Sequence, residues 1–213
     1  VTFVAWAIKA GLVPAPDSLT VLYADTRMEL PPLQQTAIRL LSALGADGFK
    51  TKVVLPEVDD RFFVYMFGLG VPPSSNRFRW CTPQLKIEPM HAELGSLRDQ
   101  AGEKILMLTG VRIGESAARD QRIAVSCSRD DGECGQGWFQ TAPPESVADT
   151  LAPLLHWRLC HVYDWLYFEQ GRHGYDVSDI AAVYGDGEVR TGCVGCPLAS
   201  RDVALERLVK KPA

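Results

Sequence analysis

Ile105-Leu106-Met107-Leu108-Thr109-Gly110-Val111-Arg112-Ile113-Gly114-Glu115-Ser116-Ala117-Ala118-Arg119 decides how the rest of the chain is read. An uncharged, largely apolar run stopped by glycine is the pattern of a strand buried on both faces. Gly114 to Arg119 reads as a helix, so the stretch is strand, turn, helix. The same pattern occurs upstream. Leu19-Thr20-Val21-Leu22-Tyr23-Ala24 ends at Asp25, and Pro31-Pro32 opens a helix to about Leu44. Leu33, Ala37, Leu40, Leu41 and Leu44 share one face of that helix and Gly45 stops it. Lys52 to Leu55 reads as a further strand. Strands alternating with helices predict an α/β fold, a mainly parallel twisted sheet with helices on both faces. In such a sheet ligands lie outside the carboxyl ends of the strands, which puts Asp25 and the Gly110-Val111-Arg112 turn in the expected site.

The 213 residues are 46% hydrophobic and 23% charged, enough apolar surface for a proper core and against disorder of the chain as a whole. A net charge of −4 supplies no global basic field, so any nucleic-acid contact has to come from local arginines. The longest uncharged stretch, Phe62 to Asn76, contains Gly and Pro and falls short of the ~20 apolar residues of a membrane span. The first apolar run meets Lys9 rather than following a basic segment, unlike a secretory leader. A soluble, cytoplasmic protein with no membrane partner is expected. Val1 to Gly11 reads as a helix already under way, apolar on nearly every face and lacking an N-cap residue, so its natural beginning is expected upstream.

After Arg122 the character changes, and the chain is divided into a core of residues 1–125 and a cysteine-bearing part, 126–213. Helices are expected near Arg158 to Gln170 and Val177 to Tyr184, with a last amphipathic one ending at Lys210-Lys211. The six cysteines point to metal or redox chemistry before a disulfide framework. Cys193-x-x-Cys196 sets two thiolates on one tight glycine-containing turn, and Cys127-x6-Cys134 lies in a glycine-rich segment. Four thiolates suit an iron–sulfur cluster or a structural zinc; the C-x-x-C pair alone suits a redox-active dithiol. Cys160, between Leu159 and His161, reads as packing. His156, His161 and His173 lack metal-ligand spacing and are structural or exposed. Trp157, Tyr163, Trp165, Tyr167 and Phe168 crowd one helical region and are read as core.

Arg112 and Arg119 flank Glu115 on the first turns after a strand. A guanidinium is a permanently charged planar fork suited to phosphate oxygens, although Glu115 and Arg119 at i and i+4 also suit a simple helix-face ion pair. Arg79 and Lys86 bracket Cys81 and could hold an anion. Their charge favours a Cys81 thiolate, and the alternative is a small buried hydrophobe. Asp25 is a metal or ribose partner, or a turn residue at a strand end.

Arg79-Trp80-Cys81-Thr82-Pro83-Gln84-Leu85-Lys86, Gly110-Val111-Arg112-Ile113-Gly114-Glu115, and the pair Leu154-Leu155-His156-Trp157 with Val162-Tyr163-Asp164-Trp165-Leu166, followed by Gly192-Cys193-Val194-Gly195-Cys196-Pro197, occur in an order that resembles one group. It is the adenine-nucleotide alpha hydrolases, which include phosphoadenylyl-sulfate reductases and ATP pyrophosphatases. The Arg-Trp-Cys-Thr wording and the two cysteine pairs are most similar to the DndC/SspD-type DNA phosphorothioation proteins. That group carries a Ser-Gly-Gly-Lys-Asp-Ser type phosphate loop before its first helix, expected here upstream of Val1. Thr26-Arg27 stands where Thr-Gly is common.

The resemblance implies an ATP pyrophosphatase that activates a DNA backbone phosphate, with sulfur arriving as a persulfide from a cysteine desulfurase among other phosphorothioation proteins. It implies phosphate contacts from Arg112 and Arg119, and ATP with Mg²⁺ near Asp25, Gly110 and Glu115. The acceptor falls to Arg79 and Lys86 beside Cys81. A [4Fe-4S] cluster is implied on Cys127, Cys134, Cys193 and Cys196. Two alternatives stand beside this reading. One is a sulfonucleotide reductase, disfavoured because no cysteine follows Cys196 before Lys210-Lys211-Pro212-Ala213. The other is a non-catalytic nucleotide-binding assembly subunit.

Overall fold

A computed structural model describes residues 1–15, 19–75, 77–115, 117, 120–121, 138–184, 192–196 and 201–210. The chain forms two compact units: the first joins Val1–Met90 to Tyr163–Ala213, and the second is His91–Val162. This division follows compactness, whereas the one at residue 125 rests on composition and chemistry.

In the first unit α1 (Thr2–Lys9) precedes β1 (Thr20–Ala24), α2 (Pro31–Ala46) and β2 (Lys50–Val54). β1 and β2 pair in parallel with Thr20 opposite Lys50 and Ala24 opposite Val54, and the Asp25 N–H extends the ladder to the Val54 carbonyl at 2.9 Å. A parallel pair needs a crossover, and α2 supplies it. Pro31 and Pro32 occupy its first positions, where a missing N–H costs nothing. Its apolar face buries Leu41 and Leu44. Leu44, Ala5 and Tyr175 form one core cluster, with Val21, Leu40 and Phe49 packed against it. The Trp165 indole N–H donates to Thr2 Oγ1 at 2.9 Å, and the Phe3 and Trp6 rings meet Trp165 edge-on at 5.1 and 5.2 Å. Aromatic edges against faces are the favoured geometry for such contacts. The Tyr175 hydroxyl donates to Asp47 Oδ2 at 2.7 Å, which Lys9 also meets at 2.8 Å.

Where a continuous helix from Arg158 to Gln170 is expected, the chain forms an α-helix over Leu159–Tyr163 (α4), a π-helical turn over Asp164–Phe168 that returns it to this unit, and α5 (Gln170–His173). α6 (Ser178–Tyr184) packs on α2, helped by an Arg39–Asp179 ion pair, and α7 (Val203–Lys210) packs on α6. Leu30, Val183 and Ala204 make a second buried cluster. Trp165 is buried as expected, but Phe168 is not core: 82% of it is exposed, because the π-helical turn points it to solvent. His173 is buried, its Nδ1 accepting the Tyr175 N–H.

The second unit holds most of α3 (Glu88–Ala101) and a three-stranded sheet of order β3-β5-β4. β3 (Ile105–Leu108) runs parallel to β5 (Ala148–Leu151), which pairs antiparallel with β4 (Phe139–Gln140). The Thr109 N–H continues the β3–β5 ladder to the Leu151 carbonyl at 2.8 Å. Lys104 pins the start of β3 by donating to the Ala142 carbonyl and pairing with Asp149. Ala152, Leu155 and Val111 form the apolar cluster under the Gly110 turn. Cys160, expected to pack, is exposed. The architecture is α/β, and among the described residues its strands form one two-stranded parallel sheet and one three-stranded mixed sheet. No helix of the described residues is long and apolar enough to cross a membrane.

Candidate functional site

The carboxyl end of β1 is built by local polar bonds. Asp25 and Thr26 are buried, and both oxygens of the Asp25 carboxylate are engaged. Oδ1 accepts the Arg27 N–H at 2.8 Å, and Oδ2 accepts the Gln34 amide at 3.0 Å with Arg27 Nε 3.5 Å away. Asp25 thus ties the strand end to the first turns of α2 and fixes the turn geometry, the usual work of a short carboxylate side chain. Arg27 is the one non-glycine among the described residues with a left-handed backbone, φ 62°. The Thr26 hydroxyl accepts the Met28 N–H at 3.2 Å and donates to Glu29 Oε1 at 2.6 Å.

Onto this turn the C-x-x-C segment is bonded. Cys193 forms a β-bridge with Glu29, and the Val194 N–H donates to the Met28 carbonyl at 2.6 Å. Cys193 Sγ lies 3.9 Å from Thr26 Oγ1. Gly195 takes φ 69°, which lets the chain reverse so that the Cys196 N–H reaches the Cys193 carbonyl at 3.1 Å. Val194 packs against the Leu30 cluster, so the sulfur turn is held by backbone bonds below and apolar contact behind. Burial pushes the Cys193 thiol up; the Lys86 ammonium and the Thr26 hydroxyl oppose this, and Glu29 and Cys196 add to the rise. Cys193 is therefore a protonated thiol at neutral pH, and a metal ion or an electrophile has to displace that proton.

Tyr23, the last residue but one of β1, faces the same acids. Its hydroxyl is buried with no hydrogen-bond partner among the described residues. Burial, then Glu29, Asp25 and Cys193, push the phenol up to about 12. The Tyr175 phenol is also raised, by burial and by its bond to Asp47. A phenol raised in the fold above its unfolded value of about 10 favours folding fully below that pH and loses the contribution as pH climbs through the folded value. Thermal melts should therefore hold steady to about pH 10 and fall between about pH 10 and 12, less steeply in Tyr23→Phe.

Cys81 Sγ lies 3.1 Å from Ser74 Oγ, which also donates to the Phe78 carbonyl at 3.2 Å. Trp80 is buried, its indole N–H donating to the Pro72 carbonyl at 3.1 Å. Arg79 is exposed. Lys86 sits on the π-helical turn Pro83–Ile87, exposed, with its field acting on Cys193.

In the second unit, Gly110 leads from β3 into a turn where Gly114 takes φ 88° and donates its N–H to the Asp120 carboxylate at 3.1 Å. Arg112 Nε donates to Glu115 Oε1 at 3.0 Å and Nη2 pairs with the same oxygen at 2.9 Å, while Nη1 reaches the Trp157 carbonyl at 3.5 Å. Of its five N–H donors two remain uncommitted among the described residues, one on each terminal nitrogen, enough for one bidentate anion. Arg112 is only 14% exposed, so its charge is held in a medium where it acts strongly.

Arg119, Cys127 and Cys134 lie outside the described residues. Among the described residues no group of three or more His, Cys, Asp or Glu side chains is placed to hold a metal ion. Cys193 and Cys196 are two half-buried free thiols on one turn. Thr26, Glu29 and Tyr23 are part of the site without having been read as such. Thr26-x-x-Glu29 ahead of Leu30-Pro31 is a capping-box spacing, the signal that could have found the first two.

A family model for the phosphoadenosine phosphosulfate reductase domain matches residues 6–199. The chain belongs to this family, whose members are nucleotide-utilising enzymes. No curated protein matches it closely enough to count as a relative.

Proposed function

We propose that the chain is an ATP pyrophosphatase-like enzyme of bacterial DNA phosphorothioate modification. ATP, with Mg²⁺, adenylylates a backbone phosphate and releases pyrophosphate. The outer sulfur of a persulfide delivered by a cysteine desulfurase then attacks that phosphorus and expels AMP, which leaves with the former non-bridging oxygen, and a second thiol attacks the inner persulfide sulfur, releasing the P–S⁻ group and forming a disulfide. The observation that carries this reading is the bonding of a dithiol turn onto the carboxyl end of β1, Val194 N–H to the Met28 carbonyl and Cys193 beside Thr26. It joins sulfur-bearing side chains to the strand end where this class of sheet binds its ligand.

Each residue has its part. Asp25 holds the strand-end turn of the nucleotide site, with Gly110 and Glu115 shaping the turn that presents Arg112. The two free donors of Arg112, together with Arg119, neutralise phosphate charge where it accumulates. Arg79 and Lys86 hold the acceptor, with Cys81 between them in the chain. Cys193 and Cys196 with Cys127 and Cys134 would hold a [4Fe-4S] cluster, which when bound supplies sulfur or electron chemistry.

The test uses the full-length protein with ATP, DNA and a persulfide-loaded desulfurase. Pyrophosphate release and phosphorothioate linkages in the DNA are expected, and Arg112→Ala should slow pyrophosphate release by about 10²–10³-fold. Turnover of adenylyl sulfate to sulfite without ATP consumption would assign the sulfonucleotide reductase activity instead. Nucleotide binding with neither reaction would leave an assembly subunit.

A further inference from the structure

Arg27 is the point of departure. Left-handed backbone is disfavoured for any residue with a Cβ, and here it is adopted by a long cationic side chain. Strain of this kind persists where it places a side chain that something needs. The side chain is about half exposed and lines a cleft of about 480 Å³ whose other wall is Arg61, Phe62, Phe63 and Val64. That volume lies in the range of ligand sites. Arg61 faces the same cleft, and its Nε is buried with no hydrogen-bond partner among the described residues. A buried, unpaired guanidinium nitrogen is costly unless a ligand completes it. Among the described residues no acidic side chain lines the cleft.

The aromatic side chains beside it form a braced row. Trp80 is buried and bonded to Pro72. Phe62 stacks on Trp80 at 5.2 Å, Phe63 meets Phe62 edge-on at 5.4 Å, and Phe67 lies parallel to Phe63 at 6.0 Å, 5° between planes. Exposure rises along the row from 8% at Trp80 to 55% at Phe63 and 76% at Phe67. The outer rings are thus exposed aromatic surface anchored through a rigid inner stack. Cationic donors next to exposed, braced aromatic faces are the combination that binds unpaired nucleic-acid strands: arginines on phosphates, rings under bases. An apolar protein partner would leave the buried Arg61 Nε without an acceptor, and the exposed half of Arg27 with Asp25 as its anion.

We propose that this cleft seats a single strand of nucleic acid, with Arg27 and Arg61 on its phosphates and Phe63 and Phe67 under its bases. It rests on the function proposed above, in that it names where the acceptor strand lies. The experiment is fluorescence anisotropy of the full-length protein with a fluorescein-labelled 12-nucleotide strand, over a salt series, beside the same sequence as a duplex. The expected result is binding of the single strand that weakens with salt. Arg27→Gly, which relieves the backbone strain, should weaken it roughly tenfold and lower the salt slope by about 0.7 while leaving Tm unchanged or higher. Phe67→Ala, at a side chain too exposed to matter for folding, should weaken it roughly fivefold or more.

Unaltered affinity in both variants overturns the proposal, as does binding of the duplex alone or of neither form. The readout is separate from catalysis. Pyrophosphate release with no effect of these variants on strand binding rejects the cleft and leaves the enzyme reading intact. Variant-sensitive strand binding without pyrophosphate release supports the cleft and rejects the enzyme reading.

Discussion

Leu30→Ala is expected to destabilise the protein by about 2–5 kcal/mol and to lower Tm by about 4–20 °C. Leu30 is fully buried at the N-terminal boundary of α2 and shares a cluster with Val183 and Ala204. Leu33, Tyr184, Val194, Leu205 and Leu208 pack around that cluster. Deleting its side chain leaves a cavity lined by groups from four separate segments, none of which can collapse into it without moving the others. The cost therefore belongs at the large-to-small end of the core range rather than at the level of a surface change. Denaturant unfolding followed by tryptophan fluorescence measures it. Val209→Ala, on α7 at a residue 77% exposed, is the matched control and should stay within about 0.5 kcal/mol of the parent. Because Val194 packs on the same cluster, Leu30→Ala should also raise the alkylation rate of Cys193 in the folded protein. An unchanged melt would mean that Leu30 does not join these segments.

What could be read from the sequence was whatever one segment determines by itself. The uncharged run before Asp25 has the length and termination of a buried strand, and β1 occupies it. Pro31-Pro32 and the Leu33–Leu44 spacing define α2 without help from the rest of the chain. α3 escaped because its residues, Glu88 to Ala101, carry no apolar stripe, include Gly95, and bury no side chain fully. β4 has only two residues and β5 four, too short for alternation to register; β5 exists through pairing with β3, some forty residues earlier, and β4 through pairing with β5.

The site divides the same way. Asp25, Arg112 and the C-x-x-C pair are visible as residue types in telling positions. That Cys193 bridges to Glu29, that Lys86 acts on Cys193, and that Arg112 pairs with Glu115 through two of its nitrogens are long-range or rotameric facts with no linear signature. The left-handed backbone of Arg27 could not be foreseen either, because propensity argues against it.

Cys193→Ser is expected to strip iron from the protein. If four thiolates hold a cluster, protein purified without oxygen should contain about four irons and four sulfides per chain and be coloured in the visible. The serine variant should contain less than about one iron while keeping its fold. The physical case starts from rigidity. The Val194 to Met28 bond at 2.6 Å, the Glu29 bridge and the Gly195 turn place both sulfurs before any metal arrives, so half of the site needs no ordering on binding. Burial keeps Cys193 protonated, so loading expels a proton and reconstitution should proceed more completely at about pH 8 than at about pH 6.5. Lys86→Met removes the cation that offsets burial and should move that dependence to higher pH, a shift that a merely structural cysteine would not produce. Zinc in place of iron would make the turn a structural clasp. A metal-free protein whose Cys193 and Cys196 oxidise reversibly would make it a dithiol, and sulfur transfer would then have to run through those two thiols directly.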